Sequence, residues 1–525
     1  MLWLLGCGVT TVATPEQDET TPPTPSSDSD SPAVDTADTS APPEEDDRCG
    51  VVLTIETPYV TEGEAVSASA GCSEGDAAAF EITISGPSGV SQSGWGASWQ
   101  TDLYDGGRHE LYASVQPVDG GLAEVAAATV WVAEAIFDPD NVMTAPAEYT
   151  EEWGLPVLHI TSIDAISQNY GAASMVFMGA SYDAEMKIRG AASAGYPKPS
   201  YLLRFSDEDL DADALEMGNK DHLTLITSFD DNTYVRQKLV YDTWMAMAQW
   251  SDAERLTPRT AFVVVYLDGE YVGLYTACDR IDNHFLRQMG LSEDANLYKA
   301  VNHDANFYLT GSGGSWKSTL HDGYEKKEGL PEADFSDLDA LVSFTGNATP
   351  ASFVASADDW LPLEEFMDWF LLVHYSSSAD SAGKNSYIYN DPDAWRFRFV
   401  PWDFNHSWGQ GWYTYRVASS TNEDFKSTNA IFAHIQNHAE TNAALWDRFH
   451  DMVDAGPLNP DTLQGKVDDY YALIDASAER DWAVWGGIYT GWWGSYNSNT
   501  FRQEQDYLYR WLDERHDYMM QYHPK

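Results

Sequence analysis

Positive charge is scarce in this chain: 29 Lys and Arg stand against 83 Asp and Glu in 525 residues, a formal net charge of −54. Nucleic-acid binding needs clustered cations that displace counterions from phosphates, so nucleic acid is not an expected partner. Any anionic ligand would have to bring metal cations with it. The acidity itself reads as solvation of an exported protein rather than as a binding face. Cysteine is also sparse, with four residues, Cys7, Cys49, Cys72 and Cys278. The 13 histidines contain no His-Glu-x-x-His, and Cys278 has no nearby partner, which argues against a zinc site. Long apolar runs are missing too, and no stretch reaches the roughly 18 apolar residues of a spanning helix.

What is present supports a folded protein of two or three domains: 43% of residues are hydrophobic and 13% aromatic. Leu4-Leu5-Gly6-Cys7 has the form of a bacterial lipobox, in which the Cys7 thiol takes a diacylglycerol. The apolar run before it is short and Arg48 is the first basic residue, so a start codon upstream of Met1 is expected. Residues 8–48 are mostly Thr, Pro, Ser and acidic side chains, eleven of them Asp or Glu, with almost nothing to bury. Such a segment cannot offset its ordering entropy and is expected to be a disordered tether. Together, residues 1–7 and 8–48 predict an exported lipoprotein held at the cell envelope or surface through Cys7.

From 49 to 134 the pattern is one of short strands. Phe80, Ile82 and Ile84 alternate, and Gly86-Pro87, Asp105-Gly106-Gly107 and Asp119-Gly120-Gly121 supply turn chemistry between runs. An immunoglobulin-like β-sandwich is expected. Cys49 and Cys72 flank its first two strands and are expected to be bridged in an oxidising compartment, leaving Cys278 a free thiol. From 150 to 525 the texture is α+β. Strands are suggested at 157–160, 185–188, 201–205, 261–267 and 271–276, the last two flanking Asp268-Gly269, a strong hairpin signal. Helical periodicity appears at 234–249, 363–375 and through most of 429–522, so the last third is helical.

Candidate chemistry is concentrated in 376–405. Asp380 and Asn385 are five apart, the Asp-to-Asn spacing of a kinase catalytic loop, where Asp orients the attacking hydroxyl and Asn coordinates Mg²⁺. An amphipathic helix leads into this loop, and a hairpin then returns the chain to Asp403-Phe404. Asp403 would take the part of the aspartate that chelates the metal bridging the ATP phosphates. Competing motifs are weaker. Gly311 to Ser318 misses a phosphate-cradling loop because Trp316 replaces a required Gly, and it reads as a flexible surface loop. Trp482, Trp485, Trp492 and Trp493 could stack on sugars but have helical spacing, which favours packing. His406 reads as a packing neighbour of the metal ligand rather than a ligand.

The set Asp380, Asn385 and Pro401-Trp402-Asp403-Phe404 resembles the C-terminal signature of the spore-coat protein H (CotH) kinase family. Ile188-Arg189-Gly190 with Tyr196-Pro197-Lys198-Pro199-Ser200-Tyr201 is similar to its N-terminal strand pair. Asp231 with Arg236, Tyr271-Val272-Gly273-Leu274-Tyr275, Ile281-Asp282 and Leu297-Tyr298-Lys299 match between them. The resemblance implies an atypical protein-kinase-like domain that uses ATP and Mg²⁺ or Mn²⁺ to phosphorylate Ser or Thr of an envelope protein. It makes Lys198 a candidate phosphate-binding lysine, with Arg189, Arg204 and Lys299 as competitors. Three positions depart from the pattern: Asp279 for Glu, Ala191-Ala192 for a polar pair, and Asn405 for Asp. The competing readings are a non-catalytic adhesin or scaffold on the same fold and, more weakly, carbohydrate binding through the tryptophans.

Overall fold

The computed structural model describes residues 49–55, 59–61, 65–73, 80–86, 91–94, 96–100, 107–118, 123–133, 145, 147, 149–250, 255–393 and 396–525. The lipobox with Cys7, the tether 8–48, and the Asp105-Gly106 and Asp119-Gly120-Gly121 turn positions lie outside the described residues. So does most of the linker after 134.

In the first region, Val51–Ile55, Ala65–Cys72 and Gly96–Gln100 form a three-stranded sheet. Tyr59–Thr61, Glu124–Ala133, Gly107–Pro117, Phe80–Ser85 and Ser91–Ser93 form a five-stranded one. Period-two alternation puts Val66, Ala68 and Ala70 from the first sheet in one core with Ile82, Ile84, Leu111, Ala113 and Val115 from the second. Cys49 and Cys72 are joined by a disulfide across paired strands, Cα–Cα 4.7 Å, and Cys278 is free and buried.

The second region begins with an eight-stranded mixed sheet. Its chain of neighbours runs from Gly171–Phe177 through Ala180–Arg189, Ser200–Phe205, His222–Thr227, Glu270–Cys278 and Thr260–Leu267 to Leu155–Ser162. The last strand pairs parallel with Thr260–Leu267 and antiparallel with Gly171–Phe177, so the sheet closes on itself like a barrel. Leu158, Ile160, Met175, Met186, Leu203, Leu225 and Val263 fill one core. The Asp268-Gly269 turn has positive φ at both residues, 54° and 82°, the geometry that a two-residue hairpin requires.

The other face of these strands packs on helix Arg236–Met247 and a larger core shared with the helical C-terminal region. That region holds Leu363–Ser376, Ala430–Asn437, Ala439–Ala455, Pro460–Trp493 and Phe501–Tyr522. A four-stranded sheet, in the order Tyr324–Glu328, Asn296–Ala300, Ser386–Asp391, Arg396–Pro401, lies in the same core. The protein is thus α+β, with a barrel-like sheet followed by a mainly helical part. Trp485 and Trp493 donate to the carbonyls of Val272 and Phe229, and Trp493 is buried against Phe229 and Tyr489. Among the described residues no helix is long and apolar enough to cross a membrane.

Candidate functional site

Helix Leu363–Ser376 is buried over nearly its whole length and stops where Ser377 turns left-handed, φ 55°. A short 3-10 turn, Ala379–Ala382, then carries Asp380, and the chain enters strand Ser386–Asp391 just after Asn385. The hairpin partner Arg396–Pro401 ends just before Asp403. Asn385 and Asp403 both hold positive φ, 56° and 60°, a conformation that Asn and Asp tolerate better than most residues and that clusters at functional sites.

These residues face one cleft of about 720 Å³, a size suited to a small-molecule ligand. Its wall takes Arg189 from the end of one barrel strand and Lys299 from the middle of the four-stranded sheet, where Lys299 lies opposite Tyr387. Gly190 permits the exit from that barrel strand: its φ is 104°, and a Cβ there would lie 2.1 Å from Ser193 Oγ. Both cations lie over the Trp402 ring, at 5.4 Å for Arg189 and 5.9 Å for Lys299. Among the described residues neither forms an ion pair or hydrogen bond with protein. Burial and the neighbouring Arg189 charge pull the Lys299 ammonium below the usual lysine range, against the opposing pull of Asp403.

The cleft carboxylates differ in their partners. Asp380 accepts from Asn385 Nδ2 at 3.0 Å and pairs with Lys384 Nζ at 2.9 Å and His303 Nε2 at 3.2 Å. Burial raises its pKa, but His303 and Lys384 more than offset this and hold the carboxyl at about 2, so it is ionised at neutral pH. Asp230 accepts from Asn405 Nδ2 at 2.8 Å and from the Tyr196 hydroxyl at 3.2 Å. His406 Nε2 lies 3.7 Å from Asp230; burial lowers the His406 pKa, yet Asp230 leaves it raised overall. Asp403 is exposed and, among the described residues, has no ion-pair partner, while its backbone N–H donates to Tyr241 Oη at 3.2 Å. A free carboxylate beside the Asn385 carboxamide is an oxygen donor set that fits Mg²⁺ or Mn²⁺.

Lys198 is placed elsewhere. It is buried, 1% exposed, with Nζ 2.5 Å from Asp481 Oδ1 and 2.8 Å from the Leu274 carbonyl, and it is not on the cleft wall. The Asp481 carboxylate also leaves no room for a side chain at Gly273, where φ is 123° and a Cβ would lie 2.0 Å from Oδ1. Arg204 pairs with Glu185 on neighbouring strands, also off the cleft wall. Asp279 pairs with Lys220 at 2.5 Å and Arg259 at 2.9 Å, so it serves no lysine of the cleft. The Gly311 to Ser318 segment is a turn braced by Asp304, which accepts from Ser312 N at 2.7 Å and Oγ at 2.8 Å.

Several cleft residues carried no sequence signal: Asp230, Trp412 and Gln237, whose buried carboxamide has no partner for either atom among the described residues. A separate group, Asp221, His222 and Asp282, brings ligand-type atoms within 4.8 Å of one another. There, however, Arg280 Nη1 sits 2.6 Å from His222 Nε2, and His284 holds Asp221 at 2.7 Å, so protein donors already engage it.

The chain is 28% identical over 239 residues to the inner spore coat protein H of Bacillus subtilis (strain 168). That match covers 45% of this chain and 62% of the relative, less than two thirds of its length. The family model for the CotH kinase protein matches residues 186–519, a span that contains every cleft residue named above from Lys299 to Trp412 together with Arg189, and by that match the chain belongs to the CotH kinase protein family.

Proposed function

We propose that the cleft transfers the γ-phosphoryl group of ATP to a Ser or Thr hydroxyl of an envelope or surface protein. The observation that carries this reading is the pair Arg189 and Lys299, which have no carboxylate partner among the described residues of a chain of net charge −54, facing Asp380, Asn385 and Asp403. Unpaired cations in so acidic a protein favour a polyanion, and the triphosphate is one. Residues 150–525 are read as an atypical kinase-like domain with the nucleotide between the barrel-like sheet and the helical part. Asp403 and Asn385 would hold Mg²⁺ or Mn²⁺, which when bound would neutralise the phosphate charge. Arg189 and Lys299 hold the phosphates. Asp380, kept ionised, orients the acceptor hydroxyl and takes its proton late in a loose transition state.

The two-sheet region 49–134 is read as an immunoglobulin-like spacer. Cys7, if lipidated in a bacterial host, would anchor the exported chain, consistent with the coat location in the relative's name. Equal detergent partitioning of wild type and Cys7→Ser would contradict the anchor.

The tests are variants that should fail differently. Asp403→Ala should weaken metal-dependent ATP binding, whereas Asp380→Asn should leave binding nearly intact and abolish transfer of radiolabel. Asn385→Ala should raise the metal concentration needed. If Asp380→Asn transfers as well as wild type, the assignment of the catalytic aspartate fails. The non-catalytic scaffold reading draws on Asn405, whose neutral amide is engaged by Asp230 rather than offering a carboxylate.

A further inference from the structure

Asp380 stands in the wall between two cavities. Beside the cleft lies a second one of about 380 Å³, and the two share Asp380, His406 and Trp412. The aspartate divides its oxygens between them. Oδ2 is held by Lys384 and Asn385, which line the cleft and not the second cavity. Oδ1 is 3.2 Å from His303 Nε2, and His303 lines the second cavity and not the cleft.

We propose that the second cavity is the acceptor subsite, that it takes a Ser- or Thr-bearing polypeptide segment, and that His303 is a positioning residue for the hydroxyl at Asp380 Oδ1. This rests on the phosphoryl-transfer reading of the cleft. A group in the second cavity meets Asp380 at Oδ1, beside His303, while Lys384 and Asn385 hold Oδ2 in the cleft that Arg189 and Lys299 also line. In-line transfer calls for separate entries for acceptor and nucleotide, because the attacking and leaving oxygens lie on opposite sides of the phosphorus. The acceptor oxygen forms its bond to the γ-phosphorus while the bond to the β,γ-bridging oxygen breaks. The electron pair leaves on ADP, and the hydroxyl proton passes to Asp380.

The chemistry of the rim favours a polypeptide over a small alcohol. Trp412 and Tyr415 line the second cavity and are 40% and 47% exposed, flat surfaces on which backbone and side chains can lie. Ala418 and Glu423 also line the cavity and are exposed, so it has an open side from which a chain can enter and leave.

Plugging the cavity tests this without touching the catalytic groups. Ala418→Trp, and Thr421→Trp as a second plug from the cavity lining, are assayed with Mg²⁺-ATP and a degenerate library of Ser- and Thr-centred peptides. Each plug should raise the peptide KM about tenfold or more while the calorimetric affinity for Mg²⁺-ATP stays at the wild-type value. His303→Ala should lower kcat about tenfold at unchanged ATP affinity, with partial recovery in His303→Gln, which can still donate to Asp380. A wild-type peptide KM in both plugged variants overturns the proposal. So does a wild-type protein that binds Mg²⁺-ATP yet phosphorylates no member of the library. A wild-type protein that binds no Mg²⁺-ATP instead overturns the phosphoryl-transfer reading, and this inference with it.

Discussion

The interior and the cleft treat positive charge in opposite ways. Inside, Arg236 meets Asp231 at 2.7 Å and Glu504 at 2.6 Å, Arg255 meets Glu365 and Asp368, Arg480 meets Glu152 and Lys198 meets Asp481. Even Arg515, which pairs with no acid among the described residues, donates to the carbonyls of His374, Tyr375, Ser419 and Thr421. On the cleft wall Lys384 pairs with Asp380, but Arg189 and Lys299 have, among the described residues, only the faces of Trp402 and Tyr387. A chain with 83 carboxylates could have supplied partners easily. Saturated cations hold elements together; unsaturated ones keep affinity in reserve for a ligand.

Breaking an interior pair should have the largest effect. Glu504→Ala removes the carboxylate shared by Arg236 and Arg416, leaving buried Arg236 with Asp231 as its one acidic partner among the described residues, and should cost about 3–5 kcal/mol in urea unfolding. Lys299→Ala and Arg189→Ala should do the reverse. Each should leave the unfolding midpoint unchanged or slightly raised while weakening Mg²⁺-ATP binding by about tenfold or more. If either variant unfolds like Glu504→Ala, the distinction between structural and ligand-binding cations collapses.

Acid sharpens the same contrast. Burial holds His374 down at about 3 and His523 at about 4, whereas the unfolded chain protonates histidine near the usual value of about 6.5. Between these values the unfolded state binds more protons, so this contribution to stability is full above about 6.5 and declines as pH falls towards the folded values. His523→Phe, which keeps a ring against Trp446, should flatten the pH dependence of the urea midpoint between about pH 6.5 and 4. An unchanged slope would contradict it. The smallest effect belongs to the surface: Arg287→Ala removes an exposed pair with Glu293 and should shift stability by less than about 1 kcal/mol.

Local chemistry was legible in the sequence where it is set by neighbours along the chain. The alternation at Phe80, Ile82 and Ile84 marked strand Phe80–Ser85, Asp268-Gly269 marked its hairpin, and the apolar stripe of 363–375 marked helix Leu363–Ser376. Strand Gly171–Phe177 gave no such sign, because its small residues Gly171, Ala172, Ala173 and Ser174 blur the alternation. Barrel closure was therefore invisible, since it depends on that strand meeting Leu155–Ser162. The cleft triad Asp380, Asn385 and Asp403 could be read because one hairpin gathers it. Lys198 could not be sorted from Lys299 by motif alone, as its burial is fixed by Asp481, 283 positions away. His303 and Asp230 were missed for the same reason: each reaches the site from a distant loop.

Calorimetric titration of ATP into residues 135–525, with and without Mg²⁺, tests the central claim most directly. The account predicts saturable binding in the presence of Mg²⁺ that is strongly weakened without it, because Asp403 would otherwise face the triphosphate uncompensated. Absence of nucleotide binding at every metal concentration would contradict it and leave the non-catalytic scaffold in its place.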